Sequence, residues 1–490
     1  MTFKKSSSLE IDKDIGNVKV DDIDFIQVRY TDVLGRFLAK YILGDNEEMY
    51  DFFRYGIGVD GSSVRGFASI DESDMLLIPD SSTTRMVPRM FSKFKMATVI
   101  ADVHRGFRRG RLMKDPRFVS QHMEEYLTQN NLLCQIGPEV ECFIFDDIVF
   151  HNNSDKHHGT EVISTEQCGI GKYPIRRKDG YDAPPFQDSL LEFRFEVAEI
   201  LKNYYIKVTN LNHEVSSSGQ IEINFVHNTL TKAADNVQIY KDVVRNVAKQ
   251  YNKVANFMPK PIFDESNTIN SGDNGSGMHV NISLWSKSSS SSSSENIFYD
   301  DEDDYAEISQ KGRYFIGGVL SHASSLAAIV APTINSYQRM VPGFEAPVYI
   351  AWGRANRSAV IRVPVNERNK FKSKRIEFRA PDPSSNPYLA FSAILAAGLD
   401  GIKQKIDPGS PINENIYKMS ESRRNNLGIK SLPASLRESL EALKSDSGYL
   451  KTGFHSELLE TYFMLKHDEI IEDGSKNKSK TQQFIRYYDV

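Results

Sequence analysis

Four short stretches of this sequence alternate polar and apolar residues with a period of two, and their polar members belong to one chemical class. Side chains at i and i+2 leave a strand on the same side, so each stretch read as a strand has one polar face. In Gly137-Pro138-Glu139-Val140-Glu141-Cys142-Phe143, two carboxylates share that face. In Gln220-Ile221-Glu222-Ile223-Asn224-Phe225, Gln220, Glu222 and Asn224 share it, with His213-Glu214 just upstream. Met278 to Leu284 presents His279, Asn281 and Ser283 together, and Arg375-Ile376-Glu377-Phe378-Arg379 completes the set. The solvated side of an antiparallel sheet would account for any one of these stretches. Such a side scatters Lys, Thr and Ser, whereas these four collect carboxylates, imidazole and guanidinium. If the sheet curls so that the four faces converge, five or six carboxylates become neighbours and cannot all stay ionised without cations. Oxygen-dominated donors with little nitrogen and no thiolate predict Mg²⁺ or Mn²⁺ rather than zinc or copper.

Arginines make the second half of the pattern. Arg339, Arg354, Arg357, Arg362, Arg375 and Arg379 fall in the stretch that also holds Glu377. A guanidinium matches phosphate or carboxylate oxygens in bidentate fashion, and metal beside arginine predicts phosphoryl chemistry, which needs mainly positioning and charge neutralisation. Singly, Arg354 and Arg375 also read as surface ion pairs. Two nucleotide fingerprints are excluded. Gly56-Ile57-Gly58-Val59-Asp60-Gly61 has the GxGxxG spacing but follows a helix-like run and leads into Ser62 and Ser63, so it cannot be the turn that opens a dinucleotide-binding helix. No GxxxxGK[ST] occurs. Gly275-Ser276-Gly277 reads as a turn before the His279 strand.

The 60 basic and 65 acidic residues leave a net charge of −5, which argues against a nucleic-acid binder. Cys134, Cys142 and Cys168 are too few for a disulfide framework and are expected as core thiols. No signal peptide and no run of about 18 apolar residues is found, which predicts a cytoplasmic protein without a membrane partner. The charged stretch Arg105 to Arg117, with Arg108, Arg109, Arg111 and Lys114, marks a boundary between a domain at 1–115 and a larger mixed one at 116–490. Helix is expected over Ser120–Gln129, Ala233–Phe257, Arg313–Val330 and Pro387–Ile402, the last capped by Asn386, with a strand around Gln135–Phe145. Residues 286–304, serine-rich and then acidic, are expected to form a solvated surface insertion.

Beyond the alternation, the segments VDGSSVRGF, GPEVECFIF, NHEVSSSGQIEI, GDNGSGMHVNISLW, NSYQRMVPGFEAP, NRSAVIRVP and RIEFRAPDPSSNPYLAFSAILAAGLDGI closely resemble the ordered signature blocks of type I glutamine synthetase, from about residue 59 to 402. The resemblance implies an α+β fold, with a small N-terminal β-grasp-like domain and a large catalytic α/β domain built on a curved antiparallel sheet. It implies a homododecamer of two stacked hexameric rings, with active sites between neighbouring subunits, acting on glutamate, ammonium and ATP. Carried over position by position, it makes Glu141, Glu214 and Glu222 ligands of one divalent ion and Glu139, His279 and Glu377 ligands of a second. It assigns Asn274, Gly275, Arg339, Glu345 and Arg379 to glutamate, Arg357 and Arg362 to the phosphates of ATP, and Ser283 to the nucleotide. Asp60 matches the residue that deprotonates ammonium, and Glu345 matches the loop carboxylate that closes the site. Asn212 and Asn281 depart from the pattern, standing where members of the family usually or often have His. An insert at Asp264 to Ser271 also departs from it, and no adenylylation signature surrounds Tyr417. An amine or polyamine ligase of the same family is the runner-up, and a catalytically inactive scaffold is the alternative of another class.

Overall fold

The computed structural model describes residues 14–15, 18–19, 23–44, 46–106, 110–152, 158–167, 171–263, 272–287, 294–341, 346–365, 367, 370–474 and 480–490. Glu345, Cys168, Arg108, Arg109, the insert at 264–271 and most of the serine run lie outside the described residues. The chain separates into a smaller unit, residues 1–30, 37–64 and 68–112, and a larger one, residues 31–36, 65–67 and 113–490.

In the smaller unit the strands Phe25–Thr31 (β1), Phe37–Leu43 (β2), Ile57–Asp60 (β3), Asp74–Pro79 (β4) and Met96–Arg105 (β5) form a mixed sheet in the order β2-β1-β5-β4-β3. One helix, Asn46–Tyr55 (α1), packs against it, and β1 runs parallel to β5 with Ile26, Val28, Val99 and Val103 buried. This is the β-grasp-like domain. The glycine run at 56–61 becomes strand β3, preceded by helix α1 rather than followed by one, so the dinucleotide geometry is absent.

The larger unit opens at helix Pro116–Gln129 (α2), with Pro116 in the first turn and the Asp115 carboxylate accepting from the Arg117 N–H at 3.0 Å. Its sheet has ten strands. The main path runs Val208–His213 (β7), Gln220–Phe225 (β8), Leu132–Phe145 (β6), Met278–Ser286 (β9), Ile376–Phe378 (β12), Ala359–Val363 (β11) and Tyr349–Arg354 (β10). Neighbours are antiparallel except β10 and β11, which run parallel. The link between those two, residues 355–358, doubles back from Ala355 at φ +57° and carries Arg357.

Alternation gives β6 two different faces. Val140, Cys142 and Ile144 are buried on one, where helix Leu230–Gln250 (α3) packs and Tyr240 donates to the Val140 carbonyl at 3.2 Å. Arg117 on α2 meets Asp235 on α3 through two contacts of 3.0 Å, and the Tyr388 hydroxyl donates to the same carboxylate at 2.7 Å. Tyr388 lies on helix Pro387–Gln404 (α6), whose cap Asn386 accepts from the Tyr388 N–H at 3.2 Å. Breaking a buried pair leaves an uncompensated charge, so Asp235→Ala should lower stability by about 3–5 kcal/mol in denaturant titration. A loss below about 1 kcal/mol would mean that this junction is not structural.

Three elements depart from the sequence expectation. The helix expected through Phe257 ends at Gln250, because Asn252 adopts φ +54° and the Lys253 N–H closes onto the Ala248 carbonyl at 2.8 Å. Val254–Asn256 then pairs with the end of β6. The expected Arg313–Val330 helix is interrupted at His322, giving Gln310–Ser321 (α4) and Ala323–Val330 (α5). The His322 ring faces Asp446 at 2.8 Å and Asp400 at 3.2 Å and stacks on Tyr449, so a tertiary contact sets the break. Finally, residues 294–304, expected not to order themselves, are ordered although Asp301, Glu302 and Asp304 stay exposed: Asn296 pairs with β9, Phe298 is fully buried, and Asp303 accepts from the Ala306 and Ile308 N–H groups at 2.9 and 3.0 Å. The acidic composition hid a single apolar anchor. Helices α4 and α6 touch backbone to backbone, since a Cβ at Gly318 would stand 2.2 Å from the Ala397 carbonyl oxygen. No described helix is long and apolar enough to cross a membrane.

Candidate active site

Strand register brings the polar faces together. Glu222 lies directly across from Glu141, and Asn212 across from Glu222. Asn224, Glu139 and His279 form a second cross-strand row. Asn281, Glu377 and Arg362 form a third. All three rows open on a cavity of about 1060 Å³.

Within it, ligating atoms of Glu139, His279 and Glu377 lie within 4.8 Å of one another, as do those of Glu141, Glu222 and His279. The first group is the expected second-ion set. In the other, His279 is grouped where Glu214 was expected; Glu214 lines the same cavity but stands outside the closest group. His279 Nδ1 is 3.4 Å from Glu139 and 3.9 Å from Glu377. Burial, then the nearby Arg379, holds the His279 pKa well below its usual value. Its ring therefore stays neutral, the form that can ligate a metal.

The carboxylates divide by environment. Burial is the main cause that pushes Glu141 up to about 7, against the Gly277 N–H at 2.8 Å and the Arg339 and Arg379 charges. Burial and the charges of Glu141 and Glu139 push Glu222 up to about 8. Like charges directly opposite on neighbouring strands repel, and these two face each other. Glu377 behaves oppositely. Burial alone would raise it, but Arg379 and Arg362 hold it below the usual carboxylate range, and both arginines contact it directly. Two amides, from Asn212 at 3.1 Å and Asn224 at 2.8 Å, donate to one oxygen of Glu222. Asn281 donates to Glu139 at 2.9 Å and accepts from Arg375 at 2.9 Å. Both asparagines that depart from the family pattern thus support carboxylates of the site.

Arg339, Arg354, Arg357, Arg362 and Arg379 line the cavity with Asn274 and Gly275. The Nε–H groups of Arg362 and Arg379 are buried without an acceptor among the described residues, two donors that a bound acceptor would satisfy. The Gly-Ser-Gly turn gains a reason: a Cβ at Gly277 would stand 2.7 Å from Arg339 Nη2 and 2.9 Å from His279 Nε2. Arg354 instead donates to the Tyr305 carbonyl at 2.7 Å. Ser283 lies farther along β9, accepting from Trp285 Nε1 at 3.0 Å, and is not among the lining residues. Asp60 belongs to the smaller unit, beside a separate cavity of about 380 Å³. Its carboxylate takes the Ser62 hydroxyl at 2.6 Å, the Ser63 hydroxyl at 2.8 Å and the Ser62 N–H at 2.9 Å, which hold its pKa below the ordinary value. Sequence reasoning missed Lys178, Tyr181, Asn356 and Asn413, which also line the larger cavity. They sit in loops, where no period marks them. Cys134 and Cys142 are buried free thiols whose pKa values burial raises, so they are core residues.

A family model described as glutamine synthetase, β-grasp domain, matches residues 22–106, and one described as glutamine synthetase, catalytic domain, matches residues 113–484. The glutamine synthetase of Sulfolobus acidocaldarius is 44% identical over 457 residues, covering 92% of this chain and 93% of its own. That of Streptomyces filamentosus is 40% identical over 483 residues, covering 96% and 97%. Among solved structures, Plasmodium falciparum glutamine synthetase aligns with a TM-score of 0.81 at 26% identity, covering 94% of this chain and 96% of that one. A GmaS/ADP complex aligns with a TM-score of 0.74 at 27% identity over the same shares. ATP-dependent ligation of ammonia and glutamate is the reaction of this family, it uses divalent metal, and the acidic and imidazole clusters are able to hold such an ion. Two domain models that together span most of the sequence, on a fold with those clusters, establish that the chain belongs to the glutamine synthetase family.

Proposed function

We propose that the larger cavity joins ammonia to L-glutamate in two steps, through a γ-glutamyl phosphate made with ATP, releasing L-glutamine, ADP and phosphate. The observation that carries this reading is the meeting of five ligating side chains, Glu139, Glu141, Glu222, His279 and Glu377, with Arg339, Arg357, Arg362 and Arg379 in one cavity. In this reading Glu141, Glu214 and Glu222 hold one ion and Glu139, His279 and Glu377 the other, with Mg²⁺ or Mn²⁺ matching an oxygen-rich donor set. The donors suit cations: two carboxyls are driven toward protonation by burial, and the imidazole is kept neutral. Divalent ions held by these residues would supply positive charge to offset that of phosphate.

The chain's own residues do the rest. Asn274 and Gly275 hold the glutamate backbone together with Arg339 and Arg379, and Arg357 and Arg362 take the phosphates and the transferred group, with Ser283 toward the nucleotide. Two anions must approach in line, and the guanidinium groups offset their repulsion and fix the angle of attack. Phosphorylation gives the carboxylate a leaving group. Ammonium must then lose a proton before its nitrogen can attack, and in the proposed ring assembly, with active sites between neighbouring subunits, the Asp60 that takes that proton comes from the adjacent subunit, kept ionised by Ser62 and Ser63. Glu345 completes the cation site and keeps water from the acyl phosphate. The same reading has residues 1–115 and 116–490 as the two domains, assembled in the cytoplasm as a homododecamer of two stacked hexameric rings.

The competing readings are a ligase that uses an amine or polyamine in place of ammonia, and an inactive scaffold. Phosphate release from protein supplied with Mg²⁺, ATP and glutamate separates them when ammonium, putrescine or ethylamine is offered in turn. Ammonium is expected to give the fastest turnover. Faster release with an amine selects the runner-up, and none with any acceptor selects the scaffold.

A further inference from the structure

A third group of potential ligands lies apart from those two. Atoms of Glu166, Asp188 and His213, all buried, come within 4.8 Å of one another. Their hydrogen bonds argue against a metal. Asp188 takes both terminal nitrogens of Arg194, at 3.0 and 2.5 Å, and the Leu190 N–H at 3.2 Å. One oxygen of Glu166 takes the Ser189 N–H at 2.9 Å and the Ser189 hydroxyl at 2.7 Å. The other faces His213 Nε2 at 3.0 Å. His213 Nδ1 lies 2.9 Å from the carbonyl oxygen of Glu214. A carbonyl can only accept, so Nδ1 carries hydrogen, and Nε2 is turned onto the Glu166 carboxyl. Both ring nitrogens are thus engaged within the protein and neither is open to an ion.

What that ring touches is the informative part. Of the six residues read as metal ligands, Glu139 and Glu141 lie within β6, Glu222 within β8, His279 within β9 and Glu377 within β12, where ladder bonds fix the backbone on both sides. Glu214 follows the last residue of β7. Its N–H reaches the Gln220 carbonyl at 2.9 Å, and its own carbonyl is held by His213. We infer that the buried Glu166–His213 pair is a positioning device for Glu214, fixing the 214–215 peptide so that this carboxylate can complete one of the two ion sites. This rests on the reading of Glu214 as a ligand given under Proposed function. Partners that orient metal ligands are commonly worth about 10–100-fold in metal affinity.

The two ring nitrogens can be separated by substitution. Asn places an amide N–H near the Nδ1 position, and Gln places one near Nε2. Mn²⁺ binding to the full-length protein is followed by electron paramagnetic resonance, with thermal unfolding of the metal-free protein as a fold control. His213→Gln keeps a donor toward Glu166 but frees the Glu214 carbonyl, and should weaken one of two Mn²⁺ classes about tenfold or more while leaving the other unchanged. His213→Asn keeps the Glu214 contact and should stay within about threefold of the parent, although it loses as much buried hydrogen bonding. Equal weakening by both variants, or equal weakening of both classes, would overturn the inference in favour of a purely structural role. Glu214→Gln runs in parallel. If it weakens one class while His213→Gln does not, the positioning claim falls and the ligand reading stands. If Glu214→Gln changes nothing, the ligand reading falls and takes the inference with it.

Discussion

Replacing Glu377 with Gln is expected to lower turnover by more than about a hundredfold, beyond the usual cost of losing a partner that merely orients a ligand. Glu377 is fully buried, contacted by both Arg362 and Arg379, and grouped with Glu139 and His279. The amide keeps the shape and removes the charge. On the reading proposed above, one ion then loses a ligand and two arginines lose their counter-charge, so phosphate would be drawn to unopposed guanidinium groups instead of being shared with a metal. Mn²⁺ stoichiometry should fall from two to one, with secondary structure by circular dichroism unchanged. Near-native turnover with both ions retained would contradict the assignment of Glu377. Glu141→Gln should act similarly on the other ion.

The second large effect is on the pH dependence of metal binding. Glu141 and Glu222 are raised to about 7 and about 8 from a reference value of 4.5, so the folded, metal-free protein holds protons that the unfolded chain releases. Their contribution to stability is complete below pH 4.5 and is lost as pH climbs through 7 to 8. Glu377, with a lowered pKa, is already ionised across that window and adds nothing to the trend. A divalent ion must displace those protons. Metal affinity should therefore rise by about tenfold per pH unit for each proton displaced between pH 6 and 8. The metal-free melting temperature should fall over the same interval, and added Mn²⁺ should raise it more at pH 8 than at pH 6. Calorimetry in two buffers of different ionisation enthalpy would count the protons. Metal binding without proton release would mean that the two carboxylates are already charged and that their opposition across β6 and β8 is relieved by other means.

Much of this site could be read from the sequence because its information is periodic. Glu139-x-Glu141 and Arg375-x-Glu377-x-Arg379 announce a face, and the register of β6, β8, β9 and β12 turns those faces into adjoining rows. Pairing of strands distant in sequence is not periodic, so the partner of each carboxylate could not be named beforehand. Nor could the reversal at Ala355 that brings back Arg357, because an alanine at φ +57° leaves no compositional trace. The break at His322 and the end of helix α3 at Gln250, ahead of the left-handed Asn252, share that origin: contacts or a single backbone angle overrode a continuous helical pattern. Residues 294–304 failed for a different reason. One buried Phe298 anchors the segment and Asp303 finds backbone donors, while Asp301, Glu302 and Asp304 stay exposed.

The three cross-strand rows act as a gauge cut into the main chain. Strands stand about 4.8 Å apart wherever peptide groups bond across them, whatever side chains they bear. If two ions sit there as proposed, the distance between their positions would be set by backbone geometry rather than tuned residue by residue. On that reading, the carboxylates on β6, β8, β9 and β12 would keep their spacing through substitutions elsewhere, because the ladder and not the neighbouring side chains sets the ruler.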